Sequence, residues 1–101
     1  MRFAEYLLTC FSEEAVEVAH AAHKVIRFTP EDHHPSKQNS NIQELAKEFN
    51  ELLAVREMLI NYGYDIPVVN EIKQAKKARL IEFAYYSKRL GVIEDDIVEG
   101  L

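Results

Sequence analysis

The chain contains few residues that interrupt a helix. Its three prolines and three glycines stand at positions 30, 35, 63, 67, 91 and 100. A fold built of strands depends on many turns, and turns depend on glycine and proline. The long stretches between these positions therefore predict an all-α chain: a bundle of three long helices in one domain over residues 1–101.

The predicted helices run from Met1 to about Phe28, from Ser40 or Asn41 to Tyr62, and from about Val68 to Leu90. Alanine and glutamate, which favour helices, dominate residues 13–22. Ser12 leaves an alternative open, in which it caps a separate helix and the first helix is broken. Ser40 and Gln43 have capping-box spacing, and Gly63 suits the end of a helix. Asp65 and Pro67 suit the start of the third helix.

The remaining segments are polar. Residues 29–41 predict a loop, in which His33 and His34 are interpreted as ordinary polar residues. Residues 92–101 form a short acidic tail that frays or packs on a partner. Because three helices of this size bury little surface alone, we expect self-association into a dimer or a tetramer. The third helix has an apolar side expected to be buried, comprising Ile72, Ala75, Ala78, Leu80, Ile81, Ala84 and Tyr85.

Charge and composition exclude several classes of protein. The net charge of -5 argues against binding to a nucleic-acid polymer, which requires a basic surface. The single cysteine, Cys10, cannot form an internal disulfide, as is typical of a reducing compartment. No apolar run approaches the roughly 20 residues of a membrane span, and Met1–Phe11 lacks the pattern of a signal peptide. We expect a soluble, cytoplasmic protein with no membrane partner.

Carboxylates interrupt the apolar pattern of the first helix. Steps of four and three residues lead from Phe3 through Leu7 and Cys10 to Glu14 and Glu17. Burying two carboxylates is costly unless a positive charge lies between them. The second helix repeats the spacing with Glu48 and Glu51, beside a stripe of Ile42, Leu45, Phe49, Leu52 and Leu59. Glu44 is interpreted as a solvated flank.

Two acidic pairs on packed helices predict a site for a hard divalent cation, magnesium or alternatively manganese. Four carboxylates exceed the charge of one such ion, so two ions, or one ion and a lysine, would balance them better. Such a site suits the hydrolysis of a polyphosphate.

The segments Glu13–Glu17 (EEAVE) and Glu48–Glu51 (EFNE) resemble the MazG-like all-α NTP pyrophosphatases. That family carries EExxE on one helix and ExxD on the next. The resemblance covers about residues 10–91 and includes Ala21–Thr29, where relatives have a Ser-Lys…Arg-Phe-Gly run. It implies magnesium-dependent hydrolysis of an NTP or dNTP to the monophosphate and pyrophosphate, as a house-cleaning reaction, in helical subunits that dimerise or form tetramers.

The resemblance also implies roles for residues. Metal ligands would be Glu14, Glu17, Glu48 and Glu51. Glu13 would orient the attacking water or complete the metal shell. Lys24 and Arg27 would contact phosphate or base.

The chain departs from the family pattern at four positions, none of which removes a carboxylate. Glu51 stands where the family usually has aspartate, and its extra methylene lengthens its reach. Asn50 replaces a small residue, often glycine. His23 and Thr29 replace the serine and the glycine of the relatives.

Other interpretations remain open. The glutamates would be an ordinary acidic surface in a non-catalytic helical module that binds nucleotides or a partner protein. Glu17 and His20 also have the Glu-x-x-His spacing of di-iron carboxylate bundles, which would need a second histidine from a partner subunit. Otherwise His20 is a hydrogen-bonding neighbour of the site or faces water. The basic third helix is either a solvated face or a source of a lysine for a phosphate.

Overall fold

The computed structural model covers residues 1–101 and contains three α-helices and no strand, which confirms the predicted all-α class. Helix α1 spans Phe3–Phe28, α2 spans Asn41–Tyr62 and α3 spans Asn70–Arg89. The alternative break at Ser12 is wrong, since α1 continues through that residue between strong helix formers. None of the helices has an apolar stretch sufficient to cross a lipid bilayer.

The ends of α2 match the sequence prediction and the start of α3 does not. The Gln43 amide N–H donates to the Ser40 hydroxyl at 3.2 Å, and the Ser40 N–H donates to the Gln43 side chain at 2.9 Å. Gly63 ends α2 with φ 125°, a backbone conformation that favours glycine. Helix α3, however, begins after Val69 without a side-chain cap, and Asp65 lies outside it. The β-branched Val69 is extended and Val68 is also outside the helix, in keeping with their lower helix propensity.

The chain divides into two compact units, residues 1–66 and residues 67–101. The first unit is an antiparallel hairpin of α1 and α2. At one end the Phe3 ring lies 5.9 Å from the Tyr62 ring, centroid to centroid. At the other end the buried Asn41 side-chain amide donates to the Thr29 carbonyl at 2.9 Å, so its polar group is satisfied.

The stripe of α1 that packs on α2 differs in part from the predicted one. Ala4, Leu7 and Ala21 are buried, and Glu14 is half-buried with them. Phe3 is 55% exposed and Glu17 is exposed, contrary to prediction. From Leu7, an apolar stripe can continue three residues on, at Cys10, or four residues on, at Phe11. The fold follows Leu7, Phe11, Glu14, Val18 and Ala21, so Glu14 lies in the contact and Glu17 beside it.

Helix α2 splits its apolar residues between two sides. Leu59 is fully buried, and Leu45 and Leu52 are half-buried on the same side. Ile42 and Phe49, predicted to share that stripe, are 46% and 49% exposed. They lie one position further round the helix, since Ile42 follows the buried Asn41 and Phe49 follows the half-buried Glu48.

In the second unit, α3 contains no buried residue, so the prediction of a buried apolar side is wrong for this chain. Helical spacing determines which residues lie on the same side of a helix, but it does not determine whether another part of the chain covers that side. The acidic tail lies along α3 and is held by it. Tyr85 donates to the Glu99 carboxylate at 3.1 Å, and Lys77 donates to the Leu101 carbonyl at 3.4 Å. Lys88 donates to the Asp95 carbonyl and lies 3.9 Å from the Asp96 carboxylate.

Candidate metal centre

Three carboxylates meet where α1 and α2 cross. Glu14, Glu48 and Glu51 each offer one oxygen, and these oxygens all lie within 4.8 Å of one another. Glu14 occupies the inner stripe of α1, and Glu48 occupies the inner stripe of α2 between Leu45 and Leu52. Glu51, one turn from Glu48, is more exposed. We call these three residues the carboxylate cluster.

Glu14 is the least satisfied member of the cluster. Its Oε2 atom is buried and has no hydrogen-bond partner. A buried polar atom without a partner is costly, and such atoms are rare in folded proteins. Burial raises the pKa of Glu14, and the negative charges of Glu51 and Glu17 raise it further. The Glu14 carboxylate therefore lacks a positive neighbour in this structure.

The other inner carboxylate has a similar environment. Burial raises the pKa of Glu48, and the adjacent Glu51 carboxylate adds to the effect. Lys47 opposes it, with its ammonium 3.9 Å from Glu48 and 3.5 Å from Glu51. Sequence reasoning missed Lys47, although its i,i+4 spacing to Glu51 indicates an ion pair. Three carboxylates and one ammonium leave two negative charges when all are ionised, which one divalent cation would neutralise.

The donor set fits magnesium in chemistry and nearly in size. Magnesium takes oxygen ligands at about 2.0–2.1 Å in an octahedron, so ligand oxygens on one ion lie at most about 4.2 Å apart. The cluster spans up to 4.8 Å, so small side-chain rotations of a half-exposed glutamate such as Glu51 would close it. Its ligands are all carboxylates, as hard cations prefer.

A pocket of about 240 Å³ lies beside the cluster, between the end of α1, the loop and the start of α2. Glu48 belongs to both the cluster and the pocket wall. Lys24 and Glu17 line the same pocket from α1, about one turn and about three turns before its end. Lys24 takes part in none of the chain's ion pairs, so its charge is available to an anion. The wall of the pocket therefore contains the carboxylates of Glu17 and Glu48 and the ammonium of Lys24.

Two of the predicted site residues lie outside both the carboxylate cluster and this pocket. Glu13 is exposed and belongs to neither the cluster nor the pocket wall. Arg27 is exposed, and its guanidinium lies 4.9 Å from the centre of the Phe28 ring. The ring of Phe28 itself lines the pocket and offers it an apolar surface.

Three histidines that sequence reasoning set aside line the pocket: His20, His33 and His34. For His33 and His34 the only signal was the length of the loop, since long loops in compact domains tend to be functional. His20 lies on α1, where its spacing from Glu17 was the signal. The Ser36 backbone N–H donates to His34 Nδ1 at 3.1 Å, and the Ser36 hydroxyl lies 2.7 Å from the same atom. An Nδ1 atom that accepts a hydrogen bond leaves the proton of a neutral imidazole on Nε2.

The charged lining of the pocket also includes Asp32 from the loop, together with Glu44 and Lys37, which pair with each other. Their side chains lie 3.8 Å apart, and only 17% of the Glu44 side chain is exposed. The interpretation of Glu44 as a solvated flank is therefore wrong, because the loop folds over the start of α2. This ion pair connects the loop to α2 at the mouth of the pocket.

No family model, curated protein or solved structure matches this chain. The resemblance to the MazG-like pyrophosphatases therefore stays a prediction that depends on the two glutamate motifs. The carboxylate cluster and the pocket are the observations on which a function can be argued.

Proposed function

We propose that this chain is a magnesium-dependent nucleoside triphosphate pyrophosphohydrolase. One observation carries the proposal: Glu14, whose Oε2 atom is buried and unpartnered, contributes a carboxylate oxygen to the cluster with Glu48 and Glu51, beside a pocket that contains Lys24. An acidic cluster alone is common on helical proteins. A buried oxygen without a donor, next to a pocket with a free ammonium, favours a site that receives a cation and an anion together.

Glu14, Glu48 and Glu51 would hold the ion, with Glu17 at the border between the ion and the pocket. A bound divalent cation supplies charge neutralisation and polarises a phosphoryl oxygen. Manganese would serve in the same donor set. The resemblance to the MazG-like family implies the same ligand role for Glu14, Glu48 and Glu51, and it counts Glu17 as a fourth ligand.

Residues of the pocket would bind the nucleotide and accept a proton from the attacking water. Lys24 and the pocket histidines bind phosphate oxygens, and Phe28 offers its ring to the base or the sugar. A water oxygen attacks the α-phosphorus, the bond from that phosphorus to the bridging oxygen breaks, and pyrophosphate leaves. Glu17 accepts the proton of the water, since of the two predicted carboxylates outside the cluster it alone lines the pocket. Glu13, which precedes Glu14 by one residue, has no role in this scheme because it belongs to neither the cluster nor the pocket wall.

The reducing compartment indicated by the lone Cys10 is consistent with a cytoplasmic enzyme that removes unwanted nucleotides. A nucleotide of this kind carries its own negative charge, which the net charge of the chain would repel. The divalent cation and Lys24 together offset that repulsion locally.

A non-catalytic nucleotide-binding module is the second candidate, and Lys47 is the observation that favours it. Its ammonium already contacts Glu48 and Glu51, so part of the cluster is neutralised without a metal. The di-iron alternative gains no support, because the cluster contains no histidine.

Pyrophosphate release tests the proposal. The full chain is incubated with each common NTP and dNTP and with magnesium, and turnover is compared among the wild type, Glu17→Gln and Glu48→Gln. We expect both substitutions to reduce turnover at least about a hundredfold, the scale of losing a positioned charge or base. The matched control is Glu57→Gln, an exposed glutamate on α2 outside the site.

Absence of turnover with every nucleotide contradicts the enzyme, as does turnover that neither substitution changes. Nucleotide binding without turnover, measured by isothermal titration calorimetry, would support the non-catalytic module. Circular dichroism of each variant shows whether its helices are retained.

A further inference from the structure

One charged residue of the pocket has no partner in the chain and no role in the proposed reaction. Asp32, in the loop between α1 and α2, lines the pocket. Its carboxylate takes part in none of the chain's ion pairs. The side-chain hydrogen bonds of the loop also leave it unused. Because an ionised carboxylate only accepts hydrogen bonds, it fits a ligand group that donates them.

The backbone holds Asp32 in position. The Asn41 backbone N–H donates to the Asp32 carbonyl at 2.8 Å, and the Ile42 N–H donates to the Pro30 carbonyl at 3.0 Å. The Asn41 side chain donates to the Thr29 carbonyl at 2.9 Å. These three hydrogen bonds tie the first part of the loop to the first turn of α2. The carboxylate therefore extends into the pocket from a backbone that is held at both ends.

Asp32 lies at the end of the pocket that is farther from the carboxylate cluster. Glu17 and Phe28 both line the pocket from α1, and about 16 Å of helix axis separates them. Asp32 follows the end of α1 and is bonded to Asn41 at the start of α2, so it lies at the Phe28 end. Glu48, the cluster member in the pocket wall, lies about 10 Å further along α2. A nucleotide with its phosphates near the cluster would have its base near Phe28 and Asp32.

The Phe28 end of the pocket suits a nucleotide base better than a phosphate. The Phe28 ring lines the pocket, and the Arg27 guanidinium lies over the ring at 4.9 Å from its centre. An aromatic ring stacks on any base, because every base has a π-face. The Asp32 carboxylate repels a phosphate but accepts hydrogen bonds from N–H groups at the edge of a base. Discrimination among the bases therefore depends on Asp32.

We infer that Asp32 selects guanine, an inference that rests on the proposed nucleotide site. Guanine has two neighbouring donors on one edge, N1–H and the N2 amino group, and the two oxygens of a carboxylate can accept both. Adenine and cytosine have an acceptor nitrogen beside the amino group. Uracil and thymine have one N–H between two carbonyls. The substrate class is therefore guanosine and deoxyguanosine triphosphates.

Calorimetric titration of the full chain with magnesium tests the base preference. The probes are the α,β-methylene analogues of GTP, ATP, CTP and UTP, in which a methylene group replaces the bridging oxygen and prevents its cleavage. We expect the guanosine analogue to bind at least about tenfold more tightly than the other three, the scale of one hydrogen bond to a charged group. The inosine analogue lacks the N2 amino group and should lose most of this advantage. The deoxyguanosine analogue should bind as the guanosine analogue does.

Asp32→Asn provides a second test, because it replaces an acceptor with a donor. The amide accepts from N1–H and donates to a carbonyl at C2, which xanthine has in place of the amino group of guanine. We expect affinity for the guanosine analogue to fall at least about tenfold and affinity for the xanthosine analogue to rise by a similar factor. Glu31→Gln is the matched control: it removes an adjacent, exposed carboxylate that lies outside the pocket wall. It should keep the guanine preference.

Equal affinity for the four bases overturns the inference. So does a loss of affinity in the deoxyguanosine analogue, which would assign Asp32 to the sugar. An Asp32→Asn variant that keeps the guanine preference, or a Glu31→Gln variant that loses it, also overturns it. If Asp32→Asn does not fold, the guanosine and inosine analogues on the wild type decide.

Pyrophosphate release is measured separately, so the two proposals can fail independently. Hydrolysis of every NTP at the same rate, with no base preference in binding, would support the enzyme and overturn the selection of guanine. Guanine-selective binding without hydrolysis of GTP would contradict the enzyme and support the selection.

Discussion

Glu14 on α1 and Glu51 on α2 are distant in sequence, yet their carboxylate oxygens lie within 4.8 Å of each other. No hydrogen-bond donor reaches the buried Oε2 atom of Glu14. Burial and then the charge of Glu51 raise the pKa of Glu14. The two side chains are therefore held together against their mutual repulsion by the packing of the helices, and the following predictions depend on that strain.

The first prediction concerns stability against pH in a metal chelator. The folded state raises the pKa of Glu14 above the ordinary value of 4.5, so the folded chain binds the proton more tightly than the unfolded chain does. Stability therefore falls as the pH rises from about 4.5 through the raised pKa. We expect Glu14→Gln to raise the melting temperature at pH 7.5 by a few degrees and to reduce the dependence on pH. Thermal unfolding between pH 4.5 and 7.5 measures both effects.

Glu57→Gln is the control for this experiment, because that residue is exposed and outside the cluster. It should leave the pH dependence of the wild type in place. An unchanged or lower melting temperature in Glu14→Gln at pH 7.5 would show that the cluster is satisfied without a metal.

The second prediction is that divalent cations stabilise the folded chain. A ligand that binds only the folded state at a hundred times its dissociation constant adds about 2.7 kcal/mol. Magnesium or manganese should therefore raise the melting temperature of the wild type at pH 7.5, with little effect on Glu48→Gln. Calorimetric titration at several pH values, in buffers of different ionisation enthalpy, should detect proton release that grows as the pH falls toward 4.5, because the pKa of Glu14 is raised and binding favours its ionised form. Equal stabilisation of the wild type and Glu48→Gln would place the ion elsewhere.

The third prediction concerns Lys47. The charges of Glu51 and then Glu48 raise the pKa of Lys47, so it stays charged and competes with a metal for the same carboxylates. Lys47→Met should therefore tighten magnesium binding by about two- to thirtyfold, the range for removing two exposed ion pairs. Titration calorimetry gives the two dissociation constants. Lys73→Met, on α3 and without an ion pair, is the control. Weaker binding in Lys47→Met would mean that the lysine supports the site.

The fourth prediction separates His34 from the one histidine outside the pocket. His34 carries its proton on Nε2 when neutral, because Ser36 donates to Nδ1, and can give a hydrogen bond to a phosphate. His34→Gln should weaken nucleotide binding by about three- to tenfold, the scale of one hydrogen bond to a charged group. His23→Gln, exposed on α1, should leave binding unchanged. The nitrogen-15 shifts of the ring give an independent measurement of the tautomer.

Local signals in the sequence were sufficient for much of the fold. The position of Gly63 and the Ser40–Gln43 capping box fixed the ends of α2, because caps are made by residues that are neighbours in sequence. The start of α3 was wrong because Asp65 and Pro67 are permitted at a helix start without requiring one. The prediction that Phe3 and Glu17 share the inner stripe with Leu7 was wrong, because three- and four-residue steps can be taken in two orders and only packing selects one of them.

The amino-acid sequence by itself determined that this chain is helical and that glutamates at helical spacing fall near its apolar stripes. Tertiary structure alone decided which glutamates meet. The crossing of α1 and α2 brings Glu14, Glu48 and Glu51 together, adds Lys47 and leaves Glu13 outside. It also folds the loop histidines over Lys24 and turns Phe49 away from the inner contact. The reason is that helical periodicity determines in which direction side chains point around a single helix axis. A site built from two helices also depends on the distance between their axes and on the rotation of each helix about its own axis.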